Sequence, residues 1–175
     1  LSISGGLLSN VAFTSYTAIG TQLGGDIDGE AANDYSGASV SLSDDGTIMA
    51  VGARHNDAGN STSDNRGHVR IFKYQVISGT ATWTQLGADI DGEASNADNS
   101  GYSVSLSADG TKVAIGAPFS REGLKNYSGR VRIYNYNGTA WTQLGADING
   151  EAANDHLGRS VSLSGDGTKV AIGAD

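Results

Sequence analysis

Acidic residues recur at one spacing in three places along the chain. The three segments are Asp26-Ile27-Asp28-Gly29-Glu30, Asp89-Ile90-Asp91-Gly92-Glu93 and Asp147-Ile148-Asn149-Gly150-Glu151. Alternating oxygen-bearing side chains before a glycine are typical of the start of a calcium-binding loop. The candidate calcium ligands are therefore Asp26, Asp28, Asp89, Asp91, Asp147 and Asn149, and calcium is the only cofactor that the sequence suggests.

A structural interpretation of the same segments stays open. The isoleucine between the two acidic positions is typical of a strand or of the edge of a turn. Asp-Gly and Asn-Gly favour tight turns, in which the acidic side chains accept hydrogen bonds from backbone N–H groups or from a neighbouring arginine.

Catalytic chemistry has little support in the residue pattern. His55, His68 and His156 occupy three different contexts, and none lies in a recognisable nucleophile motif. Serine is abundant, but a serine nucleophile needs a base within hydrogen-bonding reach. Two of the recurring carboxylates could form an acid pair of the glycosidase type. Residues repeated in every copy are, however, expected to serve the fold, so we predict that the chain is not an enzyme.

The acidic and histidine side chains belong to a sequence unit that occurs three times in the chain, and this unit must position them. Ser-Val-Ser-Leu-Ser, an Asp-Gly turn and a strand of small residues ending in Gly-Ala occupy residues 39–53, 103–117 and 160–174. The string Thr-Gln-Leu-Gly also recurs, beginning at Thr21, Thr84 and Thr142. Self-similarity at this period predicts small units that stack, because one unit cannot bury its own apolar face.

Each unit offers four short strand candidates separated by turns, and the first of them alternates apolar and polar residues. In the second copy they are predicted over Tyr102–Ser107, Lys112–Ala117, Arg130–Tyr136 and Thr139–Leu144, and in the first copy Val69–Tyr74 and Thr82–Leu86 match the last two. The fold class is therefore all-β: a β-propeller, or propeller-type array, of four-stranded antiparallel blades with about three repeats. We predict a single domain over 1–175, with units at about 25–87 and 88–145 and partial units at 1–24 and 146–175, able to form part of a larger ring or assembly.

Composition narrows the classes of partner. The 175 residues include 26 Gly, one Pro and no Cys, and the formal net charge is −8. A chain this acidic lacks the basic face that nucleic acid requires, and no stretch approaches the roughly 20 apolar residues of a membrane helix. Sequons at Asn60, Asn126 and Asn137 predict glycosylation and support an extracellular or cell-surface location.

Two polar loops are the longest connections, Arg54–Arg66 and Pro118–Ser128. Loops on one rim of a rigid scaffold often bind ligands, but these two offer few aromatic anchors and are interpreted as solvated connectors. Trp83 and Trp141 each precede Thr-Gln-Leu-Gly and are predicted to pack within or between the units.

The pattern resembles the FG-GAP repeats of integrin-alpha-type propellers. Leu157-Gly158-Arg159-Ser160-Val161 and Ser100-Gly101-Tyr102-Ser103-Val104 resemble the family's Phe-Gly-x-Ser-Val opening, and Gly116-Ala117-Pro118 is similar to its Gly-Ala-Pro signature. Gly52-Ala53-Arg54 and Gly173-Ala174-Asp175 are weaker forms. Many members of that family bind calcium between the first two strands through an Asp-x-Asp-x-Asp-Gly run. The turns here hold only one or two carboxylates each, so that calcium site is not transferred to them.

The resemblance implies a non-enzymatic structural or adhesion scaffold in a cell-surface, appendage or matrix assembly. Its expected partners are further copies or other surface and matrix proteins, joined by edge-strand pairing. A carbohydrate- or ligand-binding module, with glycans as partners of the rim loops, is the alternative, and a glycosidase-type propeller is the weaker one.

Overall fold

A computed structural model describes residues 22–57, 64–93 and 97–175. Within these ranges all regular structure is β, in twelve strands: β1 Ser36–Leu42, β2 Ile48–Ala53, β3 His68–Ile77, β4 Thr80–Gln85, β5 Ile90–Asp91, β6 Ser103–Leu106, β7 Lys112–Ala117, β8 Arg130–Tyr136, β9 Trp141–Gln143, β10 Ile148–Asn149, β11 Ser160–Leu163 and β12 Val170–Gly173. None of the described residues forms a helix long and apolar enough to span a membrane.

The strands form three antiparallel sheets in which strands close in sequence are also neighbours in space. The first sheet has the order β1-β2-β3-β4, and β5 pairs with the beginning of β3. The second sheet repeats this plan with β6, β7 and β8, and both β9 and β10 pair with β8. The third sheet consists of β11 and β12. The all-β class and the antiparallel pairing are confirmed, and they are consistent with a propeller-like fold.

The hairpin between the first two strands of each sheet is held by one aspartate. In the second sheet, the Asp109 carboxylate accepts hydrogen bonds from the Ser107 hydroxyl at 2.6 Å and from the Thr111 backbone N–H at 2.9 Å. These hydrogen bonds lower the pKa of Asp109 to about 2. Asp45 and Asp166 make the same contacts in the other two hairpins.

The apolar core lies between the first and second sheets. Small and branched side chains from both sheets pack together there: Ile48, Ala50, Val69, Ile71, Ile90, Val104, Leu106, Val113 and Ile115. Val69 and Ile71 point from β3 towards this core, so His68 and Arg70, at the alternate positions, lie on the opposite face of the first sheet.

The predicted strands match the observed ones closely in the second copy. Lys112–Ala117 and Arg130–Tyr136 have the predicted bounds, whereas Ser103–Leu106 and Trp141–Gln143 are shorter than predicted. In the first copy, β3 extends beyond the predicted Val69–Tyr74 at both ends. The strand β4 begins before the predicted Thr82–Leu86 but ends before Leu86. The number of blades and the closure of a ring stay predictions, and residues 1–21 lie outside the described residues.

Candidate functional site

The first two serines of the Ser-Val-Ser-Leu-Ser string join one sheet to the next in the first and second copies. Ser39 donates from its hydroxyl to the Gly101 carbonyl at 2.7 Å, and Ser103 makes the equivalent hydrogen bond to Gly158 at 2.8 Å. Two residues further on, the serine hydroxyl oxygen accepts a backbone N–H from the next sheet. Ser105 accepts from Leu163 at 2.9 Å, and Ser41 accepts from Leu106 at the same distance. The recurrent serines therefore stack the sheets.

Replacing Ser105 with alanine is expected to lower the free energy of unfolding by about 1–2 kcal/mol, because the buried Leu163 N–H loses its acceptor. Ser162 is the matched control, since it holds the same position in the third sheet and its hydroxyl makes no hydrogen bond among the described residues. Urea denaturation monitored by circular dichroism measures both variants. Equal losses of stability in the two would contradict this role for Ser105.

A cluster of four charged side chains lies where the second sheet meets the end of the first. Arg132 binds both carboxylate oxygens of Asp147, at 2.8 and 2.9 Å, and also pairs with Glu93. Arg130 pairs with Glu93 at 2.5 Å and with Asp147 at 3.3 Å. Both guanidinium side chains are only 12–13% exposed, so these pairs neutralise charge that is largely shielded from water.

The pKa shifts follow from this arrangement. Hydrogen bonds from Arg132 lower the pKa of Asp147 to about 2. Desolvation raises the pKa of Glu93, but the two guanidiniums together outweigh it, so the net shift is downward. The carboxylate of Asp147 in turn raises the pKa of Arg132. Both carboxylates are therefore ionised at neutral pH, and the cluster is an ion-pair network that ties the two sheets together.

The corresponding place in the first sheet holds different chemistry. Val69 pairs with Ile90 just as Val131 pairs with Ile148, so His68 corresponds to Arg130 and Asp89 to Asp147. The Nδ1 atom of His68 lies 3.7 Å from the Glu30 carboxylate and 3.9 Å from the Asp89 carboxylate. Among the described residues, these three could hold a metal ion, since one donor atom from each lies within 4.8 Å of the others.

The six predicted calcium ligands do not converge on one point. Each first acidic residue accepts a hydrogen bond from the glutamine of the preceding Thr-Gln-Leu-Gly: Asp26 from Gln22, Asp89 from Gln85 and Asp147 from Gln143. The second residue behaves differently in each copy. Asp28 offers its backbone carbonyl to Arg70, Asn149 accepts from Arg130, and partial desolvation raises the pKa of Asp91. Calcium binding by these residues stays a prediction.

Sequence reasoning missed Glu30 and His68 as partners of Asp89. They are 38 residues apart in the chain, and only the pairing of β5 with the beginning of β3 brings Asp89 to them. A comparison of the copies could have revealed them. At the second position of the repeated Gly-x-Val-Arg-Ile, the first copy has His68 where the second copy has Arg130.

The rim loops carry more aromatic contacts than the sequence suggested. Arg54 lies between the rings of Tyr35 and Tyr102, with its guanidinium carbon 5.1 and 5.2 Å from their centroids. Phe119 contacts Tyr102 edge-on at 6.0 Å and His156 at 5.3 Å. Most of these rings lie outside the two loops in the sequence, so the sequence of each loop alone does not predict the contacts. Ligand binding at this rim stays the alternative interpretation.

The tryptophans join neighbouring units, as predicted. Trp141 donates its indole N–H to the Leu86 carbonyl at 2.7 Å, and Trp83 donates to the Leu23 carbonyl at 2.8 Å. Of the sequons, Asn126 and Asn137 are exposed, and Asn60 lies outside the described residues. Their glycosylation stays a prediction.

Comparison with protein families matches one part of the chain. The FG-GAP repeat model matches residues 27–72, a segment that contains β1, β2 and half of β3. The match confirms the resemblance inferred from the repeated motifs. The comparison with curated proteins returned no match.

Proposed function

From the FG-GAP repeat at residues 27–72, we propose that this chain is part of a β-propeller of the integrin-alpha type and serves as a non-enzymatic scaffold. The observation that carries the proposal is the use of the repeated residues. The recurrent serines and tryptophans of the first two copies form hydrogen bonds to the neighbouring unit, so the repeated residues serve the stacking of the sheets. The setting of the scaffold is an extracellular or cell-surface, appendage or matrix assembly.

The two outermost described sheets present open faces of complementary chemistry. Val40 on β1 is 61% exposed, whereas Val104, at the same position of the second sheet, is 9% exposed because it packs against the first sheet. At the other end, Ser160 and Ser162 occupy the positions of the serines that bind a following sheet in the first two copies. One end thus resembles the surface that the other end is built to bind.

Complementary faces at opposite ends favour head-to-tail association. A second copy fits the open β1 face through the same interface that already joins the sheets within the chain. Two copies would supply about six blades, which is within the range of closed propellers. Ring closure between copies would also remove the exposed strand edges that otherwise promote uncontrolled pairing.

The mass of the full chain in solution, measured by light scattering over a range of concentrations, tests this proposal. A dimer or larger closed assembly is expected. Val40→Asp places a charge on the open face and is expected to give the monomer, whereas Leu124→Asp, at a fully exposed residue of the loop between β7 and β8, is the matched control and should leave the mass unchanged. A wild-type monomer at all concentrations, or a Val40→Asp variant that assembles normally, would contradict self-assembly.

A further inference from the structure

The first two sheets place different nitrogen-bearing side chains at the same site. In the second sheet, Glu93 and Asp147 are neutralised by the guanidinium groups of Arg130 and Arg132. In the first sheet, the equivalent carboxylates are those of Glu30 and Asp89, and they face a histidine in place of the first arginine. The internal repeat therefore supplies a comparison of one site with two side-chain sets.

The second arginine of the first sheet does not replace the missing charge. Arg70 donates to the Asp28 backbone carbonyl at 2.6 Å, and its guanidinium carbon lies 5.4 Å from the centre of the Phe72 ring. No ion pair joins Arg70 to Glu30 or Asp89 among the described residues. The two carboxylates are thus left without the guanidinium partners that their counterparts have.

The His68 side chain is buried, and its two ring nitrogens lack hydrogen-bond partners among the described residues. Its side chain is 1% exposed, and neither Nδ1 nor Nε2 has a hydrogen-bond partner among the described residues. A buried polar atom without a partner is rare in native proteins, and a bound ion or water is a common explanation. The Nδ1 atom is the one that faces the two carboxylates.

The distances suit coordination better than hydrogen bonding. Separations of 3.7 and 3.9 Å between Nδ1 and the carboxylate oxygens are too long for hydrogen bonds. Ligand atoms about 2.1 Å from a tetrahedral ion lie roughly 3.4 Å apart, so a small adjustment of the exposed Glu30 side chain closes the set around one ion.

Two neighbouring amides already orient the carboxylates. Gln85 donates to Oδ1 of Asp89 at 2.6 Å, which leaves Oδ2, the oxygen nearer His68, available. Asn56 donates to Oε2 of Glu30 at 3.2 Å. Outer hydrogen bonds of this kind fix the direction of metal ligands and raise affinity.

We propose that Glu30, His68 and Asp89 bind a divalent transition-metal ion of the Zn²⁺ class. One imidazole nitrogen and two carboxylate oxygens form a ligand set that suits zinc, whereas calcium prefers six to eight oxygens. The ion supplies the positive charge that the guanidinium of Arg130 supplies in the second sheet. Its place between the segment around Glu30 and the β3–β5 pair makes it a cross-link within the scaffold.

Calorimetric titration of ZnCl₂ into the full chain at neutral pH tests this proposal. Binding of one ion and a rise in melting temperature are expected, and excess Ca²⁺ should not displace the ion. His68→Arg recreates the second-sheet cluster, so it should fold and lose zinc binding at least tenfold. Glu30→Gln, at a side chain 46% exposed, tests a second ligand without disturbing the core and should also weaken binding at least tenfold.

His156→Gln is the control, because His156 lies 3.4 Å from Asp175 in a separate acidic contact and should not affect the titration. Zinc binding that survives both His68→Arg and Glu30→Gln would place the ion elsewhere and overturn the proposal. A wild-type chain that takes up no zinc would also overturn it, and so would displacement of zinc by calcium.

Discussion

Replacing Gly116 with alanine is expected to lower the free energy of unfolding by about 3 kcal/mol, at the upper end of the usual cost of overpacking. A methyl group on Gly116 would overlap the Gly158 carbonyl oxygen of the next sheet and the hydroxyl of Ser103. Neither obstacle is a flexible chain end, because one is backbone and the other is already hydrogen bonded to Gly158. The sheets must separate to admit the methyl group, and the Ser103 hydrogen bond is then lost as well.

Gly25→Ala is the matched control, because a methyl group there would meet no atom within 4 Å. Its effect should stay within about 1 kcal/mol of zero, since Gly→Ala at an unstrained position acts mainly on the unfolded chain. Chemical denaturation compares the two variants on the same scale. A Gly116→Ala protein as stable as Gly25→Ala would show that the sheets do not approach at this point.

Asp147→Asn is expected to cost about 2 kcal/mol, less than the 3–5 kcal/mol typical of a fully buried pair because Asp147 is itself 26% exposed. The substitution keeps the size of the side chain and its acceptor for Gln143. It removes the charge that faces Arg130 and Arg132, which are both largely buried, and leaves Glu93 as their remaining carboxylate partner.

This loss should depend on pH in a defined direction. The folded-state pKa of Asp147, about 2, lies below its ordinary value of 3.8, so the unfolded chain binds the proton more readily. The carboxylate therefore contributes stability fully above about pH 4, and this contribution disappears as the pH falls towards 2. The difference between wild type and Asp147→Asn should be largest near neutral pH and should shrink over that window.

Asp26→Asn is the control for the ion-pair cluster. Asp26 holds the same position in the first acidic segment and accepts an equivalent hydrogen bond from Gln22, but no ion pair involves it among the described residues. Denaturation curves between pH 2 and pH 7 should show little difference between this variant and the wild type. An Asp147→Asn difference that does not change with pH would contradict the ionic origin of the effect.

Much of the fold could be predicted because it is encoded locally. Lys112–Ala117 and Arg130–Tyr136 were predicted with the bounds that the structure shows, since each borders a strong turn signal, Asp109-Gly110 before the first and Asn137-Gly138 after the second. Repetition also predicted that the sheets stack. It did not show which atoms make the contact, because the partner of Ser103 is 55 residues away.

The chemistry of the site was harder to predict for the same reason. Asp89 was selected as an acidic residue in a repeated segment, but its neighbours Glu30 and His68 come from other parts of the chain. Whether an acidic residue meets a guanidinium or an imidazole depends on the residue that begins the third strand, Arg130 or His68. It depends also on the direction of the next arginine, since Arg132 binds Asp147 whereas Arg70 binds the Asp28 carbonyl. A local pattern of acidic residues contains no information about that partner.

Stacked sheets are the central claim, and proton–proton contacts between glycines test it most directly. A methyl group on Gly158 would lie 3.1 Å from the α-carbon of Gly116, and one on Gly101 would lie 3.2 Å from that of Gly52, so the two backbones of each pair almost touch. Nuclear Overhauser spectra should show cross-peaks between the α-protons of both pairs. Assigned spectra in which neither pair gives a cross-peak would contradict the stacked arrangement.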